Sequence, residues 1–416
     1  MAWLKLTTIN CIIKMLKLKF WLQLSLINLL IVALLGLVMR YKIGFEFPYL
    51  DQKHIQHGHS HFAFAAWISQ TLYVLIIYNL QAHIPIQRVK LYKNLLILNT
   101  VSAWGMLIAF IVQGYGAFSI GFSQLNTIIS YVFVAVYLKD AKTIQNNDAT
   151  KWFKTGLIFN AVSSIGTYAL AYMMVSKSIV QSVYLSSVYF FLHFQYNAWF
   201  LFACIGLLIT GIKQYQADFT LPKSVFLLFV CSVVPAYLLS VLWLPLPNWL
   251  YIFIVAAALS QILAWQKLLK TAVTFFKQHK QHFFPYIQFV LVLIAIAYSS
   301  KLLLQLGSTV PEISKLAFGF RPIIIAYLHL ILLGVISMFL LTYIWAFAVP
   351  QKTVSAKWFF LLMAAGVYLN EIVLGIQGIA SFSYTLIPYV NHILLGVAIL
   401  IVLAMIGMNR SFKETN

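Results

Sequence analysis

Apolar runs about 20 residues long, each continuous and closed by a short polar break, fill this chain from end to end. A helix of about 20 residues matches the roughly 30 Å hydrocarbon core of a bilayer. Strands of a membrane barrel would instead show segments of about ten residues with alternating polarity. Lipid offers no partners to backbone amides, so spanning segments are helices or closed barrels. The prediction is an all-α polytopic membrane protein.

Composition narrows the class further. Charged residues make up 9% of the chain and hydrophobic ones 62%, against about 25% charged in soluble domains. The mean hydropathy is +0.90. Too little charge is present to cover a water-facing surface, which excludes a soluble enzyme, a disordered tail and a secreted disulfide scaffold. The net charge of +20 does not point to nucleic acid, because the cations lie in short loops where they act as topology signals. Cys11, Cys204 and Cys231 form no pairing motif.

Breaks at Lys, Pro, Gly and Asn divide the chain into about twelve spans: 20–39, 60–80, 94–114, 117–138, 153–175, 183–212, 224–244, 249–270, 285–306, 320–348, 357–379 and 384–408. Residues 1–19 read as a basic cytoplasmic N-terminus leading into a retained first helix, 20–408 as one twelve-helix domain, and 409–416 as a cytoplasmic tail. The N-terminus, even-numbered loops and C-terminus hold 21 Lys and Arg, the odd-numbered loops 7. That asymmetry predicts both termini in the cytoplasm of a cell inner (plasma) membrane. Pro235 is the one clear kink residue deep in a span. No internal repeat is evident.

Four of the ten histidines lie within spans: His61 in the second, His193 in the sixth, His329 in the tenth and His392 in the twelfth. All four spans run inward, which puts the imidazoles roughly 2–15 Å below the outer helix ends. Neutral imidazole ligates a metal or haem iron without carrying a formal charge into lipid. The alternative is structural: each ring fills a gap and bonds a carbonyl. Every one precedes an apolar stretch with a small residue, as in His61-FAFAAW, His193-FQYNAW, His329-LILLGV and His392-ILLGVA.

Glu371 is the one carboxylate deep in a span, and the eleventh and twelfth spans form a short-looped pair, so a Glu371–His392 contact is expected. Arg40, Lys42, Lys301, Lys315 and Arg321 fall near outer helix ends. There they would meet anionic haem propionates or snorkel to the interface. The run His54, His57, His59, His61 also reads as an outer-surface copper or zinc site, or as a polar helix cap.

Twelve spans with histidines in the second, sixth and tenth resemble subunit I of the haem-copper oxidase and nitric oxide reductase superfamily, and are also similar to NnrS-like haem membrane proteins. In the first family, histidines of the second and tenth helices hold a low-spin haem. The resemblance assigns that role to His61 in HGHSHFAFAAW and His329 in AYLHLILLG, with Arg321 nearby. Tyr327 stands where the active-site haem ligand would be. His193 matches the metal ligand of the sixth helix by position, without the family's His-Pro-Glu-Val-Tyr motif. The seventh span, around VFLLFVCSVVPAYLL, has none of the family's histidines. The resemblance therefore implies a haem b protein with respiratory subunits as partners, serving electron transfer or nitric oxide and oxygen handling. From the residues themselves, a second centre of copper or non-haem iron built from His193, His392 and Glu371 is a further expectation. A proton-coupled transporter using Glu371 and the buried histidines is the alternative.

Overall fold

A computed structural model describes residues 16–144, 148–350 and 353–414. The described residues are helical, with no strand among them. Eleven of their helices are long and apolar enough to cross a membrane: α1 Leu18–Gly44, α2 Gln52–His83, α3 Ile86–Gln113, α4 Ala117–Asp140, α5 Asp148–Val175, α6 Gln181–Lys213, α8 Asn248–Gln278, α9 Pro285–Gly307, α10 Arg321–Ala348, α11 Val354–Phe382 and α12 Val390–Glu414. The remaining pass, α7, is the pair Lys223–Val233 and Pro235–Val241, bent by 46°. The expected kink at Pro235 is there, because proline withholds an amide and clashes with the preceding turn. A nine-residue helix, Pro311–Gly319, joins α9 to α10.

Consecutive helices pack side by side, and α12 returns to α1, so the outer helices close into a ring. Their outward faces carry uncovered apolar side chains such as Val112, Ile252, Phe253, Leu303 and Ile376. In water so much exposed apolar surface would drive aggregation. Facing lipid it needs no cover. This is a multi-pass membrane protein with the bilayer as its partner.

α2, α6 and α10 meet inside the ring. Each carries a π-helical stretch directly after its histidine region: Ala63–Ser69, Phe194–Phe200 and Leu330–Ser337. One extra residue per turn frees carbonyls, and neighbours supply donors to them. Asn28 and Asn99 donate to the carbonyls of Ala66 and Ala65 at 2.8 and 3.1 Å. Tyr368 donates to the Gly334 carbonyl at 3.0 Å. Indoles lock the three helices together: Trp67 Nε1 donates to Ser337 Oγ at 2.9 Å, and Trp199 Nε1 to Ser69 Oγ at 3.4 Å. His61 and His193 both open the pattern His-Phe-x3-Ala-Trp.

Two boundaries need correction. The last helix runs Val390–Glu414, so residues 409–414 are not a tail. Asn409 bonds Gln23 and the Leu26 carbonyl on α1, which holds that turn in place. The basic N-terminus expected over 1–19 lies mostly outside the described residues. Its last part, from Leu18, already belongs to α1.

Candidate functional site

α2 begins at an N-cap. The Asp51 carboxylate accepts the amides of Lys53 and His54 at 2.8 and 2.9 Å, and these bonds hold its pKa below the ordinary carboxylate value. From there His54, His57, His59 and His61 rotate at about 100° per residue. His54, His57 and His61 fall on one stripe, facing the α3 end. The His57 ring is 4.5 Å from Tyr115. His61 stacks on Phe110 at 4.5 Å, and its Nε2 lies 3.2 Å from the Tyr115 hydroxyl. Burial and the neighbouring Tyr184 push the Tyr115 phenol up to about 12, so it stays a donor. Gly114 closes this corner at φ +62, against the His54 ring. A side chain there would be both strained and in collision.

His59 takes the opposite face. Its Nδ1 lies 3.0 Å from the Val32 carbonyl of α1, and its ring interacts electrostatically with His329 of α10. His329 in turn sets Nδ1 2.9 Å from the Ile325 carbonyl. A carbonyl only accepts, so in both rings Nδ1 carries the proton and Nε2 keeps its lone pair. Among the described residues, no hydrogen bond uses either Nε2. Both residues lie deep between helices yet keep part of their surface uncovered, as does the whole first half of α10.

Two cations stand beside this pair. Arg40 of α1 interacts with His329. Arg321, at the start of α10, donates to Gln56 Oε1 at 3.1 Å, one turn before His59. The geometry thus gathers His59, His329, Arg40 and Arg321 between α1, α2 and α10.

Other expected residues are placed elsewhere. His61 does not face His329, because two residues of helix separate His61 from His59 by about 200°. His193 uses both ring nitrogens. Its Nε2 donates to the Val233 carbonyl at 2.7 Å, and Nδ1 accepts from Asn197 at 3.1 Å. The bend of α7 explains this contact, since Tyr237 N bonds Val234 rather than Val233. The freed carbonyl in an apolar surround takes the imidazole N–H. His193 therefore has a structural role, joining α6 to α7.

His392 is exposed, in edge contact with Phe45 and Tyr389. Glu371 instead points to α10. Its Cγ lies against Gly334, and its Oε1 accepts from Asn370 at 3.1 Å. The anticipated Glu371–His392 contact is absent from the hydrogen bonds and ion pairs of the described residues. His193, His392 and Glu371 are not brought together. Among the described residues no three His, Cys, Asp or Glu side chains form a metal-ligand set.

Gln56 was not singled out from the sequence, and His59 was named only within the outer histidine run. Helical phase carried the signal for His59, since spacings of three and seven join His54, His57 and His61 and exclude it. No protein-family model and no curated protein matches the chain.

Proposed function

We propose that this protein is a membrane haem protein, a degenerate relative of oxidase and nitric oxide reductase subunit I, that carries one b-type haem between His59 and His329. The supporting observation is the pair of imidazoles whose Nδ1 protons are tied to main-chain carbonyls while Nε2 stays free. Metal-bound histidines need that outer hydrogen bond to fix tautomer and ring angle. The donor set fits the group: two neutral nitrogens for the iron, and Arg40 and Arg321 for the propionates. Bound there, a haem iron held by His59 and His329 would supply one-electron transfer. The main-chain carbonyls of Val32 and Ile325 orient the two rings, and Arg40 and Arg321 would neutralise the propionates.

The role that follows is respiratory electron transfer, in a plasma membrane with both termini cytoplasmic, as the Lys and Arg asymmetry favours. The test is a reduced-minus-oxidised spectrum of protein purified from haem-replete cells, with the haem content per chain. An alpha band near one haem per chain, lost in His59→Ala and in His329→Ala, supports the reading. A colourless, iron-free preparation refutes it.

A further inference from the structure

We propose that Lys301 of α9, with the hydroxyl of Tyr298, binds a small monovalent anion inside the helix bundle, at a place distinct from the His59–His329 pair. Lys301 was expected near an outer helix end, where it could snorkel. It is fully buried instead, and its Nζ has no hydrogen-bond partner. The Tyr298 ring lies 5.4 Å from that Nζ.

Among the described residues, the ion pairs are Arg88–Asp140 and Lys151–Asp148. Neither reaches Lys301. A lone ammonium in an apolar interior is among the costliest groups a fold can bury.

The surroundings are rich in donors. Tyr298 is 2% exposed, and its hydroxyl also lacks a partner. The Tyr327 ring of α10 stands edge-on to Tyr196, centroids 6.3 Å apart. His193 lies within electrostatic range of Lys301, but its N–H is committed to Val233. One turn along α9, the Gln305 amide oxygen lacks a partner too, and a half-turn of that amide offers its NH2 instead.

A cation is excluded by the charge already present. Water would satisfy hydrogen bonds without balancing Lys301. An anion that accepts from the ammonium and from the Tyr298 phenol does both. Two aqueous sources share this chemistry, a halide and a small carboxylate.

The experiment compares unfolding of the detergent-solubilised full chain in gluconate, chloride, bromide and formate at constant ionic strength, with bromide anomalous diffraction on crystals. The expected result is a saturable rise in Tm of about 2–5 °C in halide or formate. The responding series identifies the source, and in the halide case a bromide peak lies beside Lys301 Nζ. Lys301→Met removes the unpaired charge. It should be at least as stable as wild type in gluconate and lose the anion response, whereas Tyr298→Phe should raise the midpoint concentration about tenfold. No anion-dependent shift in either series, or a response unchanged in Lys301→Met, overturns the proposal. Should Lys301→Met fail to accumulate, an unchanged midpoint in Tyr298→Phe overturns it equally. None of these readouts depends on haem.

Discussion

His59 and His329 are built alike: each holds Nδ1 within 3.0 Å of a main-chain carbonyl, Val32 for one and Ile325 for the other, and each leaves Nε2 without a hydrogen bond among the described residues. His61, two residues from the first, has its Nε2 3.2 Å from Tyr115. Substitution separates the two. His59→Ala and His329→Ala should each abolish bound haem, and His61→Ala should keep it. Absorbance spectra of the three variants decide the matter, and haem lost only in His61→Ala would reverse the assignment.

His193 answers to a different readout. Its imidazole satisfies the carbonyl that the α7 bend leaves open. His193→Ala should lower stability by about 1–3 kcal/mol, the cost of an unmet buried acceptor, without changing the haem spectrum. Thermal unfolding followed at the alpha band and by tryptophan fluorescence checks both halves.

At the opposite end of the bundle, Asp140 accepts from Arg88 at 2.7 Å and from Tyr92 at 3.0 Å. The carboxylate is 8% exposed and the guanidinium 28%. Arg88→Ala leaves the carboxylate half-paired. The expected loss is about 1–3 kcal/mol, below that of a fully buried pair because the arginine is part-solvated. Chemical denaturation in mixed micelles measures it.

Glycines at helix contacts are not equivalent. A Cβ at Gly166 of α5 would run into the Ser187 main-chain oxygen of α6, which cannot rotate away. Gly375 of α11 has nothing within 4 Å. Gly166→Ala should therefore cost about 1–3 kcal/mol by forcing the helices apart, and Gly375→Ala should be neutral or stabilise by up to about 1 kcal/mol through helix propensity. The paired melting temperatures test the packing.

The Asp51 cap gives a pH dependence. Backbone amides depress the carboxylate's pKa in the folded state. Its capping contribution is thus complete above the ordinary carboxylate pKa and is lost as pH falls through the lower folded value. Hydrogen exchange of the amides at 52–55, corrected for intrinsic rates, should show full protection at neutral pH. Protection should fall in strong acid, and in Asp51→Ala it should be weak throughout. Protection equal in wild type and Asp51→Ala at neutral pH removes the cap from consideration.

Much of the architecture was legible from residues alone. Spans such as 117–138, 183–212 and 285–306 lie within two residues of the helices that form, because an apolar run closed by Lys, Gly or Pro has one way to sit in lipid. Pro235 announced its bend for a local reason. The π-helical stretches after His61, His193 and His329 did not announce themselves, since they depend on donors such as Asn28, Asn99 and Tyr368 from other helices. The repeated His-Phe-x3-Ala-Trp was the one visible trace of the inner triad.

The chain's hydropathy by itself determined that it crosses a membrane as helices, because lipid offers backbone amides no partner but their own helix. Tertiary structure alone decided what each side chain meets. A helix turns about 100° per residue, so depth says nothing of direction until neighbours fix the rotation. That rotation gave His329 the companionship of His59, committed His193 to a carbonyl, turned Glu371 away from His392 and enclosed Lys301 with no counter-ion among the described residues.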